Sequence, residues 1–146
     1  MPRKAKRSSV TKLVDAWCAK CIKEAANWTC ERCGLVATDD TRQKFHCAHN
    51  IGRRHYAVRW DPRNAWCLCA ECHLAVDTCA YKKAQLINKT IGGGIAELLA
   101  EKARFVPRYR DIDKREAVQH FKDEYQRLRE LREKGSIERF MVQIWD

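Results

Sequence analysis

Apolar residues along this 146-residue chain change their period several times, and each change marks an element. From Val10 to Asn27 the residues Leu13, Val14, Trp17, Cys18, Cys21, Ile22 and Ala25 recur at helical spacing, which predicts an amphipathic helix. A short extended piece follows over Leu35 to Thr38, then the turn-forming pair Asp39 and Asp40. Residues 44–48 read as a strand that delivers His49 into the turn Asn50-Ile51-Gly52. A helix is expected from about Cys69 to Asn88, and the run Gly92-Gly93-Gly94 reads as a flexible joint. No Gly-Lys-Ser/Thr follows that run and no strand precedes it, which rules out a P-loop. A short helix from Ile95 to Arg104 should end before Pro107. Ala117, Val118, Phe121, Tyr125, Leu128 and Leu131 predict a second long amphipathic helix over 113–134, closed by Gly135. In 136–146 the residues Ile137, Phe140, Met141, Ile144 and Trp145 again have helical spacing, as expected for a segment packed on the domain. Left exposed, they would make a dimerisation surface.

Charge sharpens this picture. The net charge is +10, and its placement is uneven. Residues 1–12 carry Arg3, Lys4, Lys6, Arg7 and Lys12 with no acid, and residues 42–63 carry Arg42, Lys44, Arg53, Arg54, Arg59 and Arg63 against Asp61. Elsewhere 18 basic side chains balance 18 acidic ones, so all the excess lies in the tail and in this one central stretch. Concentrated Arg and Lys favour phosphate contacts, which makes DNA the expected partner, with Lys4, Lys6, Arg7, Arg53, Arg54, Arg59 and Arg63 as contacts. Residues 1–9 are too polar to pack and should form a disordered basic tail. With 33% charged and 45% hydrophobic residues and no apolar run near the length of a membrane span, a soluble cytoplasmic protein is expected.

Nine cysteines are an odd count, and no secretion signal is evident at the N-terminus, so reduced thiols are expected. Cys30-x-x-Cys33 and Cys69-x-x-Cys72 are two chelating pairs separated by enough chain for a hairpin and a loop, the arrangement of a tetrahedral structural zinc. Cys18-x-x-Cys21 could join Cys47, Cys67 or Cys79 in a second zinc set, or its thiols could simply be buried in the helix interface. A helix starting near Cys69 puts Cys69 and Cys72 on one face and turns His73 to the side, with Asp77 one turn further on. His73 and Asp77 are thus a candidate pair for Mg²⁺ or Mn²⁺, or an ordinary surface pair. His49, at a strand end facing an Arg-rich loop, has the chemistry of a general base. His55 in that loop is a second choice, and Trp60 and Trp66 are expected to be core.

The order CERCG, AHNIGRR, RNAWCLCAECH resembles the HNH (His-Me finger, ββα-metal) endonucleases over about residues 28–80, and within them the phage NinG or Rap type. The resemblance implies an α+β fold with a zinc-stapled ββα core flanked by helices: the N-terminal helix and core over 10–91, and a helical extension over 92–146. It implies that His49 is the general base, that Asn64 holds the loop and orients the base, and that His73 binds the catalytic ion. Cys30, Cys33, Cys69 and Cys72 match the zinc knuckles. The expected activity is metal-dependent hydrolysis of phosphodiester bonds in branched or recombination-intermediate DNA, and a homodimer would suit a symmetric junction. Many members carry a metal-binding Asp or His just before the base, where this chain has Ala48. His46 shares a strand face with that position but lies two residues away, so metal coordination would rest on His73, with Asp77 or His46, the scissile phosphate and water. Ala48 keeps a second class open, a zinc-dependent DNA-binding or regulatory module without cleavage, and a third is a purely structural zinc protein.

Overall fold

The computed structural model describes residues 8–146; the tail contacts expected of Lys4, Lys6 and Arg7 lie outside them. Helix α1, Ser9–Ala25, begins where the Ser8 hydroxyl accepts the Thr11 N–H at 3.2 Å. It buries Val14, Cys18, Cys21, Ile22 and Ala25, the stripe expected from their spacing. The chain then reverses through Asn27 and Trp28, both in the left-handed region at φ 51° and 52°, into the first Cys-x-x-Cys. Gly34 at φ +80° completes that knuckle, a conformation that costs glycine little.

Strand β1, Phe45–His49, pairs antiparallel with β2, Ala65–Cys69, in the register Phe45↔Cys69 to His49↔Ala65. Between them run helix α2, Tyr56–Arg59, and a 3-10 turn at Pro62–Asn64. Every residue of β2 is buried, which explains its continuous apolar character. Cys69 serves as N-cap to α3, Ala70–Thr78, followed by α4, Ala80–Thr90, and α5, Gly92–Lys102. The protein is therefore an α+β fold with a small two-stranded sheet.

Three expectations need correction. The single helix over 69–88 is two helices broken at Cys79, whose φ of −136° and ψ of 107° are extended. The three glycines are not all a joint. The turn falls at Ile91 and at Gly92, with φ +78°, after which Gly93 and Gly94 lie inside α5. Residues 136–146 form no helix, because Arg132, Arg127 and Glu124 of α6, Asp111–Glu133, take the backbone groups of that segment one by one. The segment still packs, with Val142 buried and Phe140 and Trp145 against the core, while Ile137 and Met141 are exposed.

Helix α6 lies along α1. Phe121, Leu128 and Ala117 are fully buried, and with Val142 they complete the core begun by α1, β1 and β2. Arg132 donates to the carbonyls of Glu24 and Ala25, both at 3.0 Å, adding a charged donor to oxygens at the end of α1 that also accept the Asn27 and Phe140 N–H groups.

Candidate functional site

Two backbone arrangements bring the four cysteines together. The knuckle closes through Gly34 N–H to the Cys30 carbonyl and Cys30 N–H to the Leu35 carbonyl. It is fastened to β2 by a reciprocal pair: Glu31 N–H donates to the Cys67 carbonyl at 2.9 Å, and the Cys67 N–H donates to the Glu31 carboxylate at 2.8 Å. Cys69 lies two residues beyond that clamp, and the first turn of α3 adds Cys72. The result is a cluster of Cys30, Cys33, Cys69 and Cys72 with one sulfur from each within 4.8 Å of all the others. Cys33 Sγ and Cys69 Sγ are 3.8 Å apart. Zinc–sulfur bonds of about 2.3 Å in a tetrahedron require sulfurs about 3.8 Å apart, so the donor set fits zinc. Arg32 donates to Cys72 Sγ at 3.4 Å, which suits a sulfur that carries negative charge.

The other cysteines form no second centre: no further metal-holding group of three or more His, Cys, Asp or Glu exists among the described residues. Cys47 and Cys67 face each other across the hairpin, and Cys18 and Cys21 are buried on α1. Burial raises Cys21, Cys47 and Cys67 to about 12, which keeps them as neutral thiols in the core. Cys21 also donates to the Phe121 carbonyl at 3.1 Å.

Asn64 is fully buried and holds the loop between the strands. Its side-chain oxygen accepts the Ile51 N–H at 2.9 Å, and its amide donates to the carbonyls of Ile51 at 2.9 Å and Val58 at 3.1 Å. Its own carbonyl accepts the Asn50 N–H at 2.8 Å. The residue after His49 is thereby pinned. Burial and then the nearby Arg53 charge pull His49 down to about 4, against the weaker opposing effects of Asp15 and a hydrogen bond to the Arg59 backbone. The imidazole is neutral near pH 7, the form that accepts a proton.

His49 lines a cleft of about 320 Å³ between α1 and the open edge of β1, together with His46, Lys23, Arg53 and Asp15. His46 reaches both this cleft and α3, where its Nδ1 is 2.9 Å from Nδ1 of His73. Burial, followed by the charges of His73 and Lys23, lowers the His46 pKa. His73 Nε2 lies 3.3 Å from the Asp77 carboxylate. The two ring nitrogens of His73 thus face different neighbours. An ion bound through Nδ1 would be shared with His46, and one bound through Nε2 with Asp77. His46 is the residue that links the surroundings of His49 with those of His73. Nothing in the strand spacing alone shows that His46 meets His73, because the partner sits 27 residues away on another element.

The arginines divide sharply. Arg59 has a side chain only 4% exposed, and its guanidinium is bound by Asp15 at 2.9 and 2.7 Å and by the Arg53 carbonyl at 2.6 Å. It is an internal ion pair, not an open phosphate contact. Asp15 also accepts the Trp60 indole N–H at 2.9 Å. Burial alone would raise its pKa, but the bonds from Arg59 and Trp60 hold it below the usual carboxylate value. This cluster was not legible from the sequence: Asp15 and Arg59 are 44 residues apart with no motif joining them. Arg63 pairs with buried Asp61, which Lys102 also binds at 3.0 Å. Arg53 has a side chain 48% exposed, and Arg54 is exposed and donates to neighbouring His55 at 3.2 Å. Trp60 and Trp66 are core, as expected, at 4% and 1% exposure.

No helix among the described residues is long and apolar enough to cross a membrane. Comparison with family models, curated proteins and solved structures found no match.

Proposed function

We propose that the chain is a metal-dependent DNA endonuclease of HNH type that hydrolyses phosphodiester bonds, with branched or recombination-intermediate DNA as the substrate implied by its resemblance to the phage NinG or Rap type. Asn64 carries the reading. A fully buried amide that spends three hydrogen bonds on one loop keeps His49, a neutral imidazole, at the end of β1 beside a basic cleft. Such a base removes the proton from a water at the moment it attacks phosphorus. Arg53 would meet the phosphate, and Arg54 the flanking backbone. His73 with His46 fits a divalent ion through two imidazole nitrogens, and with Asp77 through a nitrogen and an oxygen. A bound ion would supply positive charge to the pentavalent phosphorus and the departing 3′ oxygen. The expected products carry 5′-phosphate and 3′-hydroxyl ends. An imidazole pair favours Mn²⁺ over Mg²⁺, which prefers oxygen ligands. The four-cysteine cluster includes Cys72 of α3, and so supports the helix that carries His73.

The rival is a zinc-stapled DNA-binding module that does not cut. Ala48 favours it: the position next to His49 is 1% exposed and apolar, and offers an ion nothing. Cleavage of supercoiled plasmid and of a four-way junction with Mn²⁺ or Mg²⁺ separates the two. Wild type should cut, and His49→Ala should lose at least about a hundredfold in rate while keeping its zinc and its DNA affinity. A zinc-loaded wild type that binds both DNAs and cuts neither with any ion would establish the binding module instead.

A further inference from the structure

The cleft that contains His49 has a wall that the resemblance does not reach. Residues 28–80 supply one side; the other is helix α1, through Asp15, Cys18, Ala19 and Lys23. The cleft's lining is mixed: Cys18, Ala19, Phe45 and Trp60 give it an apolar part, and cationic Lys23 and Arg53 reach it from different elements. Asp15 is the one acid among the lining residues, and the buried Arg59 already neutralises it. Lys23 also continues a basic and aromatic strip. Its Nζ lies 5.6 Å from the Trp28 ring, and the Arg42 guanidinium is 4.7 Å from the same ring.

We propose that this cleft takes one unstacked nucleotide, its base against the apolar part of the lining and its phosphates against Lys23 and Arg53, so that α1 forms part of the DNA-binding surface. A space of about 320 Å³ with both apolar and polar lining and cationic groups from both sides is matched to a single nucleotide. A base still paired and stacked in a duplex has both faces and its pairing edge covered, so it cannot enter without being extruded. Extrusion costs least where the nucleotide is already unpaired. Lys23 acts as a phosphate contact and Ala19 as the small residue that leaves room for the base. The inference rests on the reading of this cleft as the place where DNA meets His49, but its consequence is a binding preference that needs no cleavage.

The test uses the full zinc-loaded chain in a buffer free of Mg²⁺ and Mn²⁺, so that nothing is cut. Affinity is measured by fluorescence anisotropy for a duplex with one unpaired 2-aminopurine nucleotide and for the fully paired duplex of the same sequence. Wild type should bind the first about tenfold more tightly and change the 2-aminopurine emission. Ala19→Trp should fill the cleft and abolish both the preference and the emission change. Lys23→Ala should weaken binding to the unpaired site severalfold and reduce the slope of log affinity against log salt by about 1. Lys134→Ala, at the exposed end of α6, serves as the charge control and should preserve the preference. Equal affinity of wild type for the two DNAs, or a preference that survives both cleft substitutions in folded protein, overturns the proposal. If the preference holds while no ion supports cutting, the nuclease reading fails and the nucleotide cleft stands. Cutting without the preference gives the reverse.

Discussion

Asn64 and His49 illustrate how burial assigns different work to neighbouring polar residues. Asn64 cannot be replaced by an apolar residue of similar size without leaving the Ile51 N–H and the carbonyls of Ile51 and Val58 without their partner. Asn64→Leu should therefore cost about 2–4 kcal/mol by denaturant unfolding. His49 is half-buried, and its pKa of about 4 compares with about 6.5 for an unfolded histidine. The lowered value means that the unfolded chain holds the proton more tightly. This residue's share of stability is complete above about pH 6.5 and is lost as pH falls toward 4. In the proposed reaction the acid limb of kcat/KM should lie below about pH 5, where His49 protonates. A limb near 6.5 that disappears in His49→Ala would show a solvated base and remove the burial argument. His46 lies two positions from residue 48, yet it is the histidine that meets His73. Strand alternation tells which face a side chain takes but not which element lies against that face.

At the scale of elements, the four-cysteine cluster joins the knuckle, the end of β2 and the first turn of α3. Helix α3 is only nine residues long and buries just Cys72 and Val76, so its own packing holds it weakly. Removing the metal with a strong chelator, or Cys72→Ser, should release α3 and lower the melting temperature by about 10 °C or more, with the stoichiometry falling from one zinc per chain to none. Double replacement of Cys18 and Cys21 by Ala should leave one zinc per chain, because those thiols belong to the interface between α1 and the rest of the core. Two bound zinc ions in wild type would contradict the assignment of these cysteines to packing. The helical break at Cys79 was invisible to periodicity, since an apolar pattern runs on through a kink when both halves pack on the same neighbours.

Across the whole molecule, the segment 136–146 ties together helices far apart in sequence. Arg132 donates to Ser136 and Glu138 on one side and to Glu24 and Ala25 on the other, with its side chain 8% exposed. Arg139 pairs with Glu31, so the same segment reaches the Cys30–Cys33 knuckle. Arg132→Ala should cost about 2–4 kcal/mol and loosen both α1 and the C-terminal segment, as read by denaturant unfolding and by hydrogen exchange at Phe140, whose N–H donates to the Ala25 carbonyl. A change under about 0.5 kcal/mol would mean that solvent replaces the guanidinium without loss. What the sequence alone determined is what local spacing can encode. The apolar stripes specified α1 and α6, the two Cys-x-x-Cys pairs specified a four-sulfur cluster, and a short apolar run specified β1, while the α+β class followed from the resemblance. Tertiary structure alone decided which charges stay available and which side chains share a space. Asp15 takes Arg59 out of the basic surface, His46 joins His73, the last eleven residues adopt no helix, and α1 becomes a wall of the His49 cleft. The reason is physical: periodicity records the side of an element that must be buried, whereas the partner of a buried charge is chosen by a contact between residues many positions apart.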